Sequence, residues 1–418
     1  MISSYLDTLR ATHPFVLLDA NYHDDDMSHL FRDPVEVISV AGDSDITAAM
    51  TRLDQALDNG LFAAGFVSYE AAHQFDPALI TAGACDANEV TICFGLFRDH
   101  IELSRAEADA LMAAAAKDCD FHLALPHSSR DMDSYLDDIA QLQTHITAGD
   151  TYQTNYTYRL SGNVQGDRLA LYEEMRQQQP VSYGAFVQLP DVPVYLSRSP
   201  ELFFRKNGNR LVTRPMKGTA PRGANDAEDR DIVHAMLQDG KTQSENTIIV
   251  DLLRNDFGRV AVTNSVSVDA YLSTERYKSV HQLTSTISCE VPADLSITDL
   301  FAGVFPCGSV TGAPKVRTMQ IISALEKEKR GIYTGSIGYI LPNRDMCFNV
   351  AIRTLSVSPN GHAEVGVGGG IVHESDGDTE YAECTAKMAF LERVMAASNP
   401  LMANPTPTPT SSAKLKAS

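Results

Sequence analysis

Apolar positions along the chain switch repeatedly between two periods, and the switches divide it into elements. Over residues 132–147, Tyr135, Ile139, Leu142 and Ile146 recur at helical spacing and Gly149 follows, which predicts a helix that stops there. Residues 151–160, T-Y-Q-T-N-Y-T-Y-R-L, change to period two and are rich in Tyr and Thr, which predicts a strand with Gln153 and Asn155 on one face. Further strands are predicted at 181–189 and 192–196. An acidic first turn, favoured by the helix dipole, opens a helix over 226–237, and Gly240 interrupts it. Residues 244–254 follow as a mostly apolar, buried helix, and Glu245 at its start is a carboxylate that needs a partner. Pro314 opens another helix, at the position where proline costs least, and that helix runs to about Lys329. Residues 332–357 alternate as paired strands turning at 342–345, and Asn360-Gly361 marks a tight hairpin into 363–372. A last helix over 379–394 carries Glu380, Glu383 and Lys387 at i, i+3 and i+7 on one face.

The first 125 residues give weaker signals, with short apolar runs at 15–18, 35–40, 61–69 and 90–97. Residues 63–77 read as a strand entering a turn. Its Ser68, Tyr69 and Glu70 make either a polar cluster at the strand end or the lining of a small-molecule pocket. The alanine- and acid-rich stretch 105–118 reads as an exposed helix. From residue 399 a Pro/Thr/Ser tail has nothing to bury and is predicted to be disordered. The pattern is that of an α+β chain with an amino-terminal part at 1–125, a main region at 126–396 and a linker-like tail at 397–418.

Composition narrows the class of function. The 418 residues, 44% of them hydrophobic, suit one large or two intimately packed domains. Lys plus Arg number 34 against 54 for Asp plus Glu, and the resulting charge of −20 repels nucleic acid and anionic lipid. An anionic substrate must therefore be captured by local arginines and backbone N–H groups. The first ten residues lack a signal-peptide pattern and no apolar run is long enough for a bilayer, so a cytoplasmic protein is expected. Seven scattered cysteines without a C-x-x-C pair suggest neither a disulfide framework nor a zinc site, and Cys384 is assigned to packing.

Candidate chemistry concentrates in four places. Residues 213–223, T-R-P-M-K-G-T-A-P-R-G, set Lys217 between a rigid Arg-Pro and a Gly-Thr step. A lysine is nucleophilic only when neutral, and positive charge from Arg214 and Arg222 would favour that form. Glu245, Glu380 and Glu383 offer an oxygen-rich set of the kind Mg2+ accepts. Residues 366–370, G-V-G-G-G, leave the backbone free to approach an anion, although they are not the dinucleotide fingerprint G-x-G-x-x-G. Residues 307–315, C-G-S-V-T-G-A-P-K, fail as a phosphate-binding P-loop because the lysine follows Ala-Pro. What is left is a glycine-rich approach to a helix, suited to a carboxylate.

These motifs, together with S-P-E at 199–201, S-E-N-T-I-I-V-D-L-L-R-N-D at 244–256, Y-K-S-V-H-Q-L-T-S-T-I at 277–287 and E-Y-A-E-C-T-A-K at 380–387, resemble the chorismate-utilising enzymes from about residue 132 to 394. The resemblance implies two stacked antiparallel sheets flanked by helices, with the active site between them. It further implies Lys217 as nucleophile and Glu201 as general acid. Mg2+ would be held by Glu245 and Glu383 with Glu380 assisting. Arg353, Tyr333 and the Gly368, Gly369 and Gly370 amides would hold the enolpyruvyl carboxylate, with Gly218, Thr219, His281 and Lys387 lining the pocket. Two positions separate the reactions within the family. Isochorismate-forming members carry a water-activating lysine where Gln153 stands, and anthranilate-forming members carry alanine where Lys217 stands. The implied branch therefore aminates C4 of chorismate to 4-amino-4-deoxychorismate, toward 4-aminobenzoate and folate. The rivals are the anthranilate-forming branch and a silent regulatory subunit that binds chorismate or tryptophan at Ser68-Tyr69-Glu70.

The chain departs from the family pattern at Thr242, where anthranilate-forming members have a further glutamate, and at Met216, where isoleucine is usual. No cysteine has a nucleophile-elbow context, so ammonia is expected from solution or from a separate glutamine amidotransferase subunit.

Overall fold

The structure, a computed structural model, describes residues 2–10, 13–42, 44–81, 89–276 and 280–398. Residues 277–279 of the sixth motif and the tail from 399 lie outside them, and the side chain of Thr219 is likewise not described.

Among the described residues the strands, several of which the apolar pattern did not predict, pair into two ten-stranded, entirely antiparallel sheets. The first runs through Gly312–Ala313, Gln153–Gly166, His362–Ile371, Thr354–Val357, Val194–Ser199, Tyr183–Gln188, Phe15–Asp19, Met27–Arg32 and Ile101–Ser104, with Phe121–Ser128 also on Gln153–Gly166. The second runs through Met216–Pro221, Val280–Glu290, Arg210–Arg214, Leu202–Asn207, Met346–Asn349, Ser336–Ile340, Phe62–Val67, Val90–Phe97 and Glu36–Ala41, with Ser267–Arg276 also on Val280–Glu290.

The sheets stack face to face. Val16, Phe31, Ala185, Val187 and Tyr195 of the first meet Ala64, Phe66, Cys93, Phe97 and Ile337 of the second in one buried cluster. Helices cover both outer faces. Tyr135, Ile139, Leu142, Met175 and Leu391 pack on the first sheet, and Met50, Leu53, Ile249, Leu253 and Phe301 on the second. A central strand such as Val90–Phe97 is thus buried on both sides, which is why its sequence is a nearly unbroken apolar run.

The helix Met132–Thr147 has the predicted bounds, and the Asp131 carboxylate accepts the Ser134 N–H to cap it. Asp239, rather than Gly240 alone, separates Asp226–Gln238 from Gly240–Gly258, because its side chain accepts the Thr242 N–H and starts the second helix. That second helix buries one face, with Asn246, Ile249, Val250 and Leu253 inside, and leaves Asp251 and Arg254 in solvent. The helix begun at Pro314 ends at Leu325, four residues earlier than predicted, because Glu326 turns inward to pair with buried Arg330. The alanine-rich helix, Arg105–Ala116, is not simply exposed. Ala108, Leu111, Met112 and Ala115 form a buried stripe on it.

Candidate active site

The strand carrying Lys217, Met216–Pro221, is antiparallel to Val280–Glu290 with a bulge between Lys217 and Thr219. Gly218 supplies the bulge at φ +73°, a conformation that favours glycine, and a Cβ there would come within 2.9 Å of Thr242 Cγ2. Such a bulge re-aims the side chain beside it. Lys217 Nζ lies 3.6 Å from Glu245 Oε2, and both side chains are only about one-sixth exposed, at 15% and 16%. This pairing supplies the partner that Glu245 requires on its half-buried helix.

The expected positive field from Arg214 and Arg222 is not present as such. Arg214 is paired with Glu275, and Arg222 grips Asp229, whose carboxylate it holds well below the usual range. Asp229 also meets His281 Nε2 at 2.8 Å and accepts the Gly223 N–H at 2.8 Å. It thereby ties the loop after Lys217 to buried His281. The sequence offered Asp229 only as one acid of a helix first turn, and its ligation of His281, 52 residues away, left no local signal.

Opposite Lys217 runs the glycine strand His362–Ile371, paired with Gln153–Gly166. A Cβ on Gly370 would sit 2.9 Å from Gln153 Nε2 and 3.6 Å from Lys217 Nζ. A Cβ on Gly369 would sit 3.5 Å from Lys387 Nζ and 3.6 Å from Glu380 Oε2. The missing side chains of this strand are therefore what leave room between its backbone and these charged groups. Lys387 Nζ donates to the Gly368 carbonyl at 3.0 Å and pairs with Glu383 at 2.9 Å. Gln153 is fully buried and both its amide atoms lack a hydrogen-bond partner among the described residues, so Gln153 has a donor and an acceptor to spare beside Gly370 and Lys217.

Glu201, 8% exposed, follows the strand Val194–Ser199. Burial pushes its carboxyl up, and the Ser309 hydroxyl, Lys217 and Arg353 only partly offset this. Its Oε1 has no hydrogen-bond partner. Ser309, from the 307–315 segment, is a site neighbour that the P-loop comparison passed over. Lys315 of that segment points away into the core, held by Asp256 at 2.7 Å and the Pro306 carbonyl at 2.8 Å. Arg353 has the left-handed backbone φ +53°, a strained conformation of the kind found at ligand sites. Desolvation weakens the hold of its guanidinium on the proton, and Glu201 and Tyr333 act on it in the opposite sense. Tyr333 itself is buried, its ring against Gly366 and 5.0 Å from the Arg159 guanidinium.

Glu245, Glu380 and Glu383 reach this region from two helices, Gly240–Gly258 and Gly377–Ala397. Glu380 is buried and accepts from Ser375 Oγ at 2.6 Å, whereas Glu383 is half exposed. Their oxygens do not all converge within 4.8 Å of one another, so the three do not close a shell by themselves. Ser68 lines a cavity of about 230 Å³ with Tyr195, Glu364 and the site residue Tyr333. Tyr69 instead packs under Arg330 at 4.5 Å, and Glu70 accepts the Arg330 and Gly331 N–H groups. Among the described residues no helix is long and apolar enough to cross a membrane.

Two stacked antiparallel sheets with helices on their outer faces are the fold of the chorismate-utilising class. The chain belongs to the chorismate binding enzyme family, which it matches over residues 13–393. A 258-residue segment is 39% identical to anthranilate synthase component 1 3 of Haloarcula marismortui, covering 62% of this chain and 51% of that protein. A 261-residue segment is 38% identical to aminodeoxychorismate synthase component 1 of Escherichia coli strain K12, covering 62% and 57%. The chain thus spans about half the length of the curated relatives it matches. The crystal structure of anthranilate synthase component I from Streptococcus pneumoniae TIGR4 has the same fold, with a TM-score of 0.73, 25% identity, and coverage of 87% of this chain and 92% of that one.

Proposed function

We propose that the chain is an aminodeoxychorismate synthase component I, converting chorismate and ammonia to 4-amino-4-deoxychorismate and water. The observation that carries this reading is Lys217 Nζ placed 3.6 Å from the Cβ position of Gly370 on the glycine strand, with electrostatic coupling between it and buried Glu201. The neutral Lys217 amine attacks C2 of chorismate as the ring double bonds shift and the C4–oxygen bond breaks. Glu201, kept protonated by burial, delivers its proton to the departing hydroxyl, which leaves as water. Ammonia then bonds to C4, the double bonds shift back and the lysine amine leaves C2. The surplus ammonium proton recharges Glu201. In the resting site Lys217 Nζ lies 3.6 Å from Glu245 Oε2, so attack requires the ammonium first to pass its proton to Glu245 or to water.

Arg353 is suited to a substrate carboxylate because its half-buried guanidinium makes no hydrogen bond or ion pair among the described residues. Gly368, Gly369 and Gly370 add room for close backbone approach, and Tyr333 is near enough to act on Arg353 electrostatically. His281, held by Asp229, lines the pocket together with Gly218 and Thr219, and Lys387 steadies the glycine strand through the Gly368 carbonyl. The carboxylate set Glu245, Glu380 and Glu383 contains only oxygen donors and fits Mg2+, whose remaining positions would fall to water and substrate. Bound there, Mg2+ would neutralise the ring carboxylate of chorismate. A separate glutamine amidotransferase subunit supplies the ammonia.

The test is product identity from the purified chain with chorismate, Mg2+ and an ammonium salt, with a separate aminodeoxychorismate lyase added to half of each sample. 4-Aminobenzoate only in the lyase-treated half supports the reading. Anthranilate in both halves would overturn it in favour of anthranilate synthase, and no product in either half would overturn it in favour of a non-catalytic binding subunit.

A further inference from the structure

At the outer edge of the first sheet, three potential metal ligands share one face of a two-stranded ladder. His29 on Met27–Arg32 is the direct cross-strand partner of Glu102 on Ile101–Ser104, and His100 stands two residues before Glu102, diagonally across from His29. Each offers one ligand atom, and the three atoms lie within 4.8 Å of one another, the only such cluster of His, Cys, Asp and Glu groups found among the described residues.

The two histidines are packed as rings and left unsatisfied as polar groups. His100 stacks on Phe31 at 5.1 Å and lies 4.9 Å from Phe62, while His29 lies 4.9 Å from Tyr339 and 5.3 Å from His100. This cage fixes both ring planes, yet Nδ1 of His29 and Nε2 of His100 are buried without a hydrogen bond among the described residues. Glu102 Oε1 lies 3.6 Å from His100 Nε2, too long for a hydrogen bond. An orphaned buried polar atom is costly, so two beside each other make poor core packing but a ready pair of nitrogen donors.

We propose that His29, His100 and Glu102 bind a borderline divalent cation, with zinc the best match, and leave a fourth position to water. Two imidazoles and one carboxylate suit zinc, cobalt or nickel and discriminate against Mg2+, so the site is chemically distinct from the carboxylates near Lys217. In a tetrahedral zinc shell neighbouring ligand atoms stand about 3.4 Å apart, and Glu102, 61% exposed, has the rotational freedom to close the gap. The bound ion would join strand Ile101–Ser104 to strand Met27–Arg32. His29 also lines a small cavity with Asp19, Tyr183 and Arg205, toward which the open position can face.

The test uses the full chain without an affinity tag, stripped by a chelator and titrated with Co2+ as a spectroscopic probe. One equivalent of cobalt should give visible absorption bands that zinc displaces and millimolar Mg2+ does not. Glu102→Gln should weaken cobalt binding at least about tenfold. His100→Phe, which keeps the ring stack on Phe31, should abolish the bands while leaving the metal-free urea midpoint equal to or above that of the parent. No saturable band in the parent, or a band unchanged in both variants, would overturn the site.

Discussion

Glu201 carries an oxygen with no hydrogen bond in a setting that already holds Lys217 and Arg353, and its raised affinity for a proton comes from burial winning over both cations. The acid form is the one that protonates a leaving hydroxyl. A raised pKa extends that form upward in pH, so kcat/KM should fall as pH rises through it. Glu201→Gln should lower kcat/KM by about 10²–10⁴-fold and remove this alkaline limb, whereas a variant that keeps the limb would reassign the acid. Lys217→Ala should cost at least about a thousandfold in turnover while the chain still folds, with a melting temperature lowered by the loss of its mostly buried contact to Glu245. Near-parental turnover would exclude covalent catalysis by this lysine. Lys217, Glu201 and Glu245 were legible as residues because their motifs are contiguous. The fate of Arg214 and Arg222 was not, since the pairing of Arg214 depends on Glu275, 61 residues further on in a different strand.

Among the elements, the glycine strand shows how neighbouring glycines can serve different ends. A Cβ on Gly368 would meet the Tyr156 carbonyl oxygen at 2.2 Å, and backbone cannot yield that distance. A Cβ on Gly370 would meet the tip of the Gln153 side chain at 2.9 Å, which can move. Gly368→Ala should therefore destabilise the fold by roughly 1–3 kcal/mol or more. Gly370→Ala should fold with a near-parental urea midpoint and lose activity, chiefly through a higher KM for chorismate. The opposite ranking in urea midpoints would show that Gly370, not Gly368, is the packing glycine. The pattern of apolar positions revealed this strand and its hairpin turn at Gly361 because period two and Asn-Gly are local signals. The early end of the helix at Leu325 was hidden because it is set by Glu326 reaching Arg330, whose other partners are distant in sequence. The buried stripe of the alanine-rich helix was in the sequence all along at helical spacing, but alanine marks a close contact no more clearly than it marks solvent.

At the scale of the whole molecule, Arg330 and Glu70 join the layers. The Arg330 guanidinium donates to the Asn155 carbonyl of the first sheet, to the Val310 carbonyl and to Glu326, while its backbone N–H reaches Glu70 at the end of strand Phe62–Val67 in the second. Arg330→Ala would leave Glu326 charged and buried and should cost about 3–5 kcal/mol. Glu70 adds a pH dependence. Burial raises its pKa to about 7 from an ordinary 4.5, although the two backbone N–H groups pull the other way. The folded chain thus holds this proton more tightly than the unfolded chain does. Stability from this group is complete below about pH 4.5 and is lost as pH rises through about 7, by roughly 3 kcal/mol in all. Glu70→Gln removes the titration but points an amide NH2 at one of the two N–H groups, so the variant should be the less stable protein at pH 5.5. The gap between parent and variant should narrow by pH 8.5, as the parent alone loses stability. Parallel urea midpoints across that range would mean that Glu70 ionises with its ordinary pKa, and that the hydrogen bonds from Arg330 and Gly331 outweigh its burial.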